Sequence, residues 1–226
     1  MSSICKVTAR AIEATFREEV DGLSGEVSSV EMKRSSFYAR AVLPLALEVA
    51  RGDKVRGGVA LRAEGDLIQV CPYIFRIFCR NGSVFAQAFQ TWTEQHVGRR
   101  DPAELANALR DAVRSCGSEQ AFAAAGLAMR ESRLIEVDNP ARLVRAVQGS
   151  HMVESVIRAI IDRHMVFGDL TRFGLMNAVT SLARDTRDPE LAWRLEDLGG
   201  RVAMAPRPRE PELPVERAER CRAVGR

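Results

Sequence analysis

The stretch YIFRIFCRNGSVFAQAFQT, residues 73–91, combines the densest strand pattern of the chain with a strong turn signal. Its first half alternates aromatic and aliphatic residues with arginines, which is typical of a strand whose two faces differ. Asn81-Gly82 follows, and this dipeptide favours a two-residue hairpin turn because both residues tolerate positive φ. We therefore predict a β-hairpin in which residues 83–91 return, although their alanines and glutamines would also permit a helix.

A two-residue turn at Asn81-Gly82 also predicts which side chains share a face, because it pairs Arg76 with Gln87. One face then carries Arg76, Phe78, Arg80, Phe85, Gln87 and Phe89. Arginines between aromatic rings suit a single-stranded nucleic acid, since guanidinium groups bind phosphate and rings stack on bases. The alternative is that helices of the second half cover this face and acids pair with its arginines.

The rest of the chain predicts an α+β fold. Apolar residues alternate over about 27–92 and recur at helical spacing over about 101–200. Strands followed by a run of helices indicate antiparallel N-terminal hairpins with five or six helices packed on the sheet. We expect one domain over residues 1–205, its last helix ending at Gly199-Gly200. Residues 206–226, rich in proline, arginine and glutamate, are expected to be a disordered tail.

The composition is that of an ordinary globular protein. The chain has 226 residues, 46% of them hydrophobic, and a net charge of +3. Lys6, Lys33 and Lys54 are the only lysines among 33 basic residues, so arginine dominates. Arginine suits phosphate binding better than lysine, whereas a GC-rich genome would give the same bias without any function.

Several observations indicate the cytoplasm. No window approaches the roughly 18 apolar residues of a spanning helix, so we expect no membrane partner. The first residues lack the apolar core of a secretory leader. The five cysteines are odd in number, scattered and without a CxxC pair, which argues against a disulfide framework.

The sequence contains few candidates for a catalytic site. It contains no phosphate-binding loop, dinucleotide fingerprint, nucleophile elbow or HExxH motif, and its three histidines are scattered. We therefore predict no cofactor, no metal and no catalytic residue. One fragment, Asp21 followed by Glu31-Met32-Lys33, has the acid and Glu-x-Lys arrangement of metal-dependent nucleases, but acids and lysines often fall at such spacing by chance, and we interpret the fragment as a solvated surface strand.

Two segments carry a resemblance to a known family. Residues 52–84 run through FRIFCRNG, and residues 171–180 read TRFGLMNAVT, with Phe173 where the family usually has tryptophan. In this order they resemble the phage/plasmid-like proteins of the domain-of-unknown-function family 932, and residues 95–99 resemble it more weakly. The resemblance implies a mobile-element context, which favours DNA metabolism, but no activity or residue role.

The second of these segments contains polar residues in an otherwise apolar helix pattern. Arg172 and Asn177 could contact a ligand or phosphate. Alternatively, Asn177 has a structural role and hydrogen-bonds the hairpin end at Asn81 and Gly82, since a buried amide needs partners.

Three functions remain open at this point. The first is a non-enzymatic nucleic-acid-binding accessory protein, with single-stranded DNA favoured, whose binding residues are Arg76, Phe78, Arg80, Phe85 and Arg172. A homo-oligomer is compatible with this function. The alternatives are a protein-interaction or assembly module without nucleic-acid affinity, and a metal-dependent nuclease at Glu31 and Lys33.

Overall fold

The computed structural model describes residues 6–33, 36–77, 81–85, 91–95, 100–148 and 152–206, and it has the predicted α+β architecture. The first part comprises α1 (Lys6–Gly22), β1 (Glu26–Lys33), β2 (Ser36–Ala50), β3 (Asp53–Glu64), β4 (Leu67–Arg76), β5 (Asn81–Val84) and β6 (Trp92–Gln95). The helices that follow are α2 (Pro102–Cys116), α3 (Glu119–Ser132), α4 (Pro140–Val147), α5 (Glu154–Phe167), α6 (Arg172–Asp185) and α7 (Pro189–Met204). Within these described ranges, no helix has the length and apolarity needed to cross a membrane.

The strands form one antiparallel sheet in the order β1-β2-β3-β4-β5, and β6 pairs with the other end of β4. Tight turns join the central strands: Gly52 (φ 79°) lies between β2 and β3, and Gly65 (φ 58°) between β3 and β4. Glycine adopts these left-handed conformations without the Cβ penalty of other residues.

Strands β4 and β5 form the predicted hairpin, but the predicted register is wrong. Arg76 pairs with Asn81 and Phe75 with Gly82, so Asn81 and Gly82 lie in strand β5 and not in a two-residue turn. A Cβ on Gly82 would lie 1.9 Å from the Tyr73 hydroxyl oxygen, so the glycine admits the Tyr73 ring against the strand. Since the observed register differs from the prediction by an even number of residues, Arg76 and Phe85 still share a face.

Helix α7 runs past the glycine pair at which we expected it to end. Gly199 and Gly200 are both buried inside the helix, which continues to Met204. A Cβ on Gly200 would lie 2.1 Å from the Val84 carbonyl oxygen, and one on Gly199 would lie 2.5 Å from Thr180 Cγ2. These glycines therefore allow α7 to approach β5 and α6 closely, and a helix stop is not their role.

Helices pack on both faces of the sheet. On one face, β2, β3 and β4 bury Phe37, Leu61 and Val70 against α1 and α2, and further along the same face Ile74 and Phe85 join a larger core with helices α3 to α7. The opposite face carries a smaller cluster that consists of Tyr38, Ala60, Cys71, Tyr73, Val84 and Trp193. Helix α7 supplies Trp193, so this helix and the α6–α7 connection border the second face.

Candidate ligand-binding cleft

Arg76, the first predicted nucleic-acid-binding residue, joins the sheet to the helices. Its Nη2 lies 2.7 Å from Asp53 Oδ2, and its Nη1 donates a hydrogen bond to Asn177 Oδ1 on α6. The guanidinium carbon also lies 5.0 Å from the centre of the Phe173 ring, a cation–π distance. Since only 11% of the Arg76 side chain is exposed, its donors are committed to contacts within the protein.

The other described residues of the predicted binding set are also enclosed. Phe85 is 1% exposed and packs in the larger core. Arg172 is 3% exposed, and its guanidinium donates hydrogen bonds to the carbonyls of Ala205 and Pro206 beyond α7. Phe78 and Arg80 lie outside the described residues. The described part of the predicted face is thus packed against α6 and α7, as in the alternative stated above.

A cavity of about 390 Å³ opens on the other face of the sheet, between strands β1, β2, β4 and β5 and the α6–α7 connection. We call it the cleft. Its buried end, the floor, is formed by Arg40 and Glu196 beside Glu31. Its exposed end, the mouth, carries Arg184 and Arg187.

The floor is a buried ion pair with unused hydrogen-bonding capacity. Arg40 Nε lies 2.7 Å from Glu196 Oε2, and the two side chains are 6% and 9% exposed. Arg40 Nη1 donates to Glu31 Oε2 at 3.3 Å, whereas Arg40 Nη2 is buried without a partner. Glu196 Oε1 accepts no hydrogen bond from the described residues. A buried donor without a partner, such as Arg40 Nη2, is uncommon in folded proteins, where nearly all buried polar atoms are satisfied.

Burial also changes the protonation behaviour of the floor. It raises the pKa of Glu196 to about 7, although Arg40 opposes the shift through its charge and its hydrogen bond. Burial likewise raises the pKa of Tyr73, whose ring lines the cleft, so this phenol stays protonated. A carboxyl with a strongly raised pKa in a concave site is a common mark of functional sites.

We expect Glu196 to make the protein less stable as the pH rises from 5 to 8. Its folded-state pKa of about 7 lies above the ordinary 4.5, so the folded state binds the extra proton in this window. The free energy of unfolding should fall by about 1–3 kcal/mol as Glu196 ionises. Burial lowers the pKa of His164, so the contribution of His164 to stability grows with pH. At the lower pH values of this range, His164 therefore opposes the effect of Glu196.

Urea unfolding of the wild type and Glu196→Gln at pH 5, 6.5 and 8 isolates the Glu196 contribution. Glutamine can still accept from Arg40 but does not titrate in this range. The stability difference between variant and wild type should therefore shift in favour of the variant with rising pH. Parallel pH profiles for the two proteins would exclude a raised pKa at Glu196.

The mouth is cationic and the adjoining wall is aromatic. Arg184 and Arg187 are exposed, and Arg187 forms no ion pair with a described residue, whereas Arg184 Nε lies 3.2 Å from Asp185 Oδ1. Tyr73 and Phe75 are two residues apart on β4 and so point to the same face, and Phe75 is only half-buried. The lining of the cleft therefore combines exposed cations, a half-buried aromatic ring and carboxylates.

The Glu-x-Lys fragment is engaged in charged contacts within the protein. Glu31 contacts Arg40, and Lys33 Nζ lies 2.8 Å from Asp188 and 3.1 Å from Glu190. Asp21 lies near the end of α1, which packs on the opposite face of the sheet. In the part of the chain that the structure describes, no cluster of three or more His, Cys, Asp or Glu side chains could hold a metal ion.

Sequence reasoning missed the floor of the cleft. For Arg40 the available signal was a single charged residue inside the apolar run FYARAVL, whereas Glu196 stands among other charges in RLED, residues 194–197, and gave no such signal. The two residues are 156 positions apart, so no local motif joins them. Arg184 is a polar residue in the otherwise apolar pattern of α6, which does not by itself indicate a cavity.

Comparisons with known proteins add no further constraint. The chain matched no protein-family model, no curated protein and no solved structure. The resemblance to the domain-of-unknown-function family 932 therefore stays a prediction from the sequence motifs.

Proposed function

We propose that this protein is a non-enzymatic accessory protein that binds single-stranded nucleic acid, DNA foremost, at the cleft. The observation that carries the proposal is that the exposed Arg184 and Arg187 line the same cavity as the half-buried ring of Phe75. Phosphate-binding cations next to an accessible ring are the pair of features that single-strand binding needs. The proposal keeps the function expected from the sequence and assigns it to a different surface.

A single strand fits the cleft better than a duplex does. In a duplex the bases are paired and stacked, so a ring that lines a cavity of about 390 Å³ can meet a base only after the base has left the stack. An unpaired strand presents its bases without that cost. The resemblance to phage and plasmid proteins agrees with such a role in mobile-element DNA metabolism.

Removing the two mouth arginines should weaken binding by at least about tenfold at low salt. Each lost phosphate contact on a single strand should also reduce the slope of log K against log salt by about 0.7. The measurement is fluorescence anisotropy with labelled single- and double-stranded DNA, using wild type and the Arg184→Ala/Arg187→Ala variant at several salt concentrations.

The matched control is Arg145→Ala/Arg158→Ala, which removes the same charge from exposed positions on α4 and α5. It should bind nearly as the wild type does. Equal affinity of the mouth variant and the wild type, or equal affinity for single strands and duplex, would contradict the proposal.

A second function, an assembly module, is favoured by an exposed apolar group at the end of α5. Met165, Val166, Phe167 and Leu170 are 62%, 83%, 47% and 53% exposed. Neighbouring exposed apolar side chains are typical of interaction surfaces. Analytical sedimentation measures the molecular mass at several protein concentrations. A mass that rises with concentration, in a protein that does not bind nucleic acid, would favour this second function.

A further inference from the structure

The floor of the cleft offers hydrogen-bond acceptors to a ligand and few donors. Glu196 Oε1 has no partner among the described residues, and Glu31 uses only Oε2, toward Arg40. The Glu31 side chain is 44% exposed, so a ligand in the cleft can reach its carboxylate. An ionised carboxylate only accepts hydrogen bonds.

The donors of the floor are already committed or enclosed. Arg40 directs Nε to Glu196 and Nη1 to Ser29 and Glu31, and its Nη2 is shielded from solvent. The Tyr73 side chain belongs to a residue that is only 4% exposed. A group that enters the floor is therefore matched best if it supplies N–H or O–H donors of its own.

We infer that the cleft receives one unstacked nucleotide whose base carries an amino group, so that the carboxylates of Glu31 and Glu196 accept hydrogen bonds from that group. This inference rests on the proposed function and names the part of the strand that the floor distinguishes. Cytosine and adenine carry such an amino group on the edge that normally pairs, and guanine has donors there as well. Thymine has a single donor on that edge, N3–H, and it lies between two carbonyl oxygens that would face the carboxylates unfavourably, whereas an amino group offers two N–H donors.

The three zones of the cleft fit the three parts of a nucleotide. The phosphate lies at Arg184 and Arg187, the base stacks on Phe75, and its amino group meets the carboxylates. Stacking is tolerant of sequence because every base has a π-face, so it supports binding without selecting a base. Base selection then falls to the hydrogen bonds at the floor.

The test compares two labelled pyrimidine oligonucleotides, dC12 and dT12, which have the same length and backbone charge, at pH 8. Wild-type protein should bind dC12 about tenfold more tightly, the discrimination typical of a good hydrogen-bonded base contact. In Glu31→Gln and Glu196→Gln the amide can donate to a thymine carbonyl, so the ratio should fall toward one, mainly through tighter dT12 binding. Glu31→Gln keeps the test valid if the buried Glu196→Gln change impairs folding.

The control is Glu190→Gln, which changes a carboxylate that pairs with Lys33 and does not line the cleft. It should keep the wild-type ratio. Equal binding of dC12 and dT12 by the wild type, or an unchanged ratio in Glu31→Gln, would overturn base selection while leaving single-strand binding intact. Failure of both oligonucleotides to bind would overturn the proposed function as well.

Discussion

Gly200→Ala should lower the free energy of unfolding by about 3 kcal/mol, the upper part of the range for overpacking a core. The added Cβ would lie 2.1 Å from the carbonyl oxygen and 3.0 Å from the carbonyl carbon of Val84. Both are backbone atoms of β5, so no side chain can rotate away and α7 must move off the sheet edge. That movement would also loosen Trp193 and Glu196 on the same helix.

Urea unfolding followed by circular dichroism measures this loss, and Gly22→Ala is the matched control. A Cβ on Gly22 meets nothing within 4 Å, so this variant should stay within about 0.5 kcal/mol of the wild type. If Gly200→Ala is as stable as Gly22→Ala, α7 does not approach β5 as described, and the cleft between them would be differently shaped.

Arg76→Ala should cost about 3 kcal/mol of stability, because it leaves Asp53 as a poorly solvated charge without its partner. The Arg76 and Asp53 side chains are 11% and 15% exposed, and the same guanidinium contacts Asn177 and Phe173 on α6. Lysine should restore little, because it lacks the planar fork that serves two partners and a ring at once. Thermal and urea unfolding of Arg76→Ala and Arg76→Lys measure both effects.

The exposed pair Arg163–Asp185, whose side chains are 30% and 43% exposed, provides the control, and Arg163→Ala should cost less than about 1 kcal/mol. The Arg76→Ala/Asp53→Ala double variant should lose less than the sum of the single changes, because neither charge is then left alone. If Arg76→Ala unfolds like the wild type but loses nucleic-acid binding, the hairpin face is the binding surface and the cleft is not.

Local signals in the sequence were sufficient for the helices and the fold class. Asp101-Pro102, Asn139-Pro140 and Asp188-Pro189 have the cap and proline that are typical of a helix start, and each acid or amide accepts a hydrogen bond from a backbone N–H of the first turn. Capping and the proline at the first helical position act within one turn, so a single sequence contains the information.

The hairpin register and the end of α7 required information that is not local. Gly82 and Gly200 look like a turn and a helix stop, whereas each makes room for a distant group, the Tyr73 ring and the Val84 carbonyl. Glycine has both uses, and only the packed neighbour distinguishes them.

The cleft could not be predicted for the same reason. Its floor joins Arg40 on β2 with Glu196 on α7, and its mouth comes from the connection between α6 and α7. Arg40 alone stands out as a charge in an apolar run, and nothing in the sequence joins it to Glu196. Only the packing of α7 on the sheet brings them together and buries them, which also raises the pKa of Glu196.

Photo-crosslinking tests the binding site most directly. The full chain is irradiated with a single-stranded oligonucleotide that carries 5-iododeoxycytidine, and mass spectrometry locates the adduct. Binding in the cleft predicts an adduct on Phe75 or Tyr73 that is lost in Arg184→Ala/Arg187→Ala and kept in Arg145→Ala/Arg158→Ala. Binding in the cleft would be contradicted if adducts were found only on peptides away from the cleft, or if no adduct formed under conditions where the strand is bound.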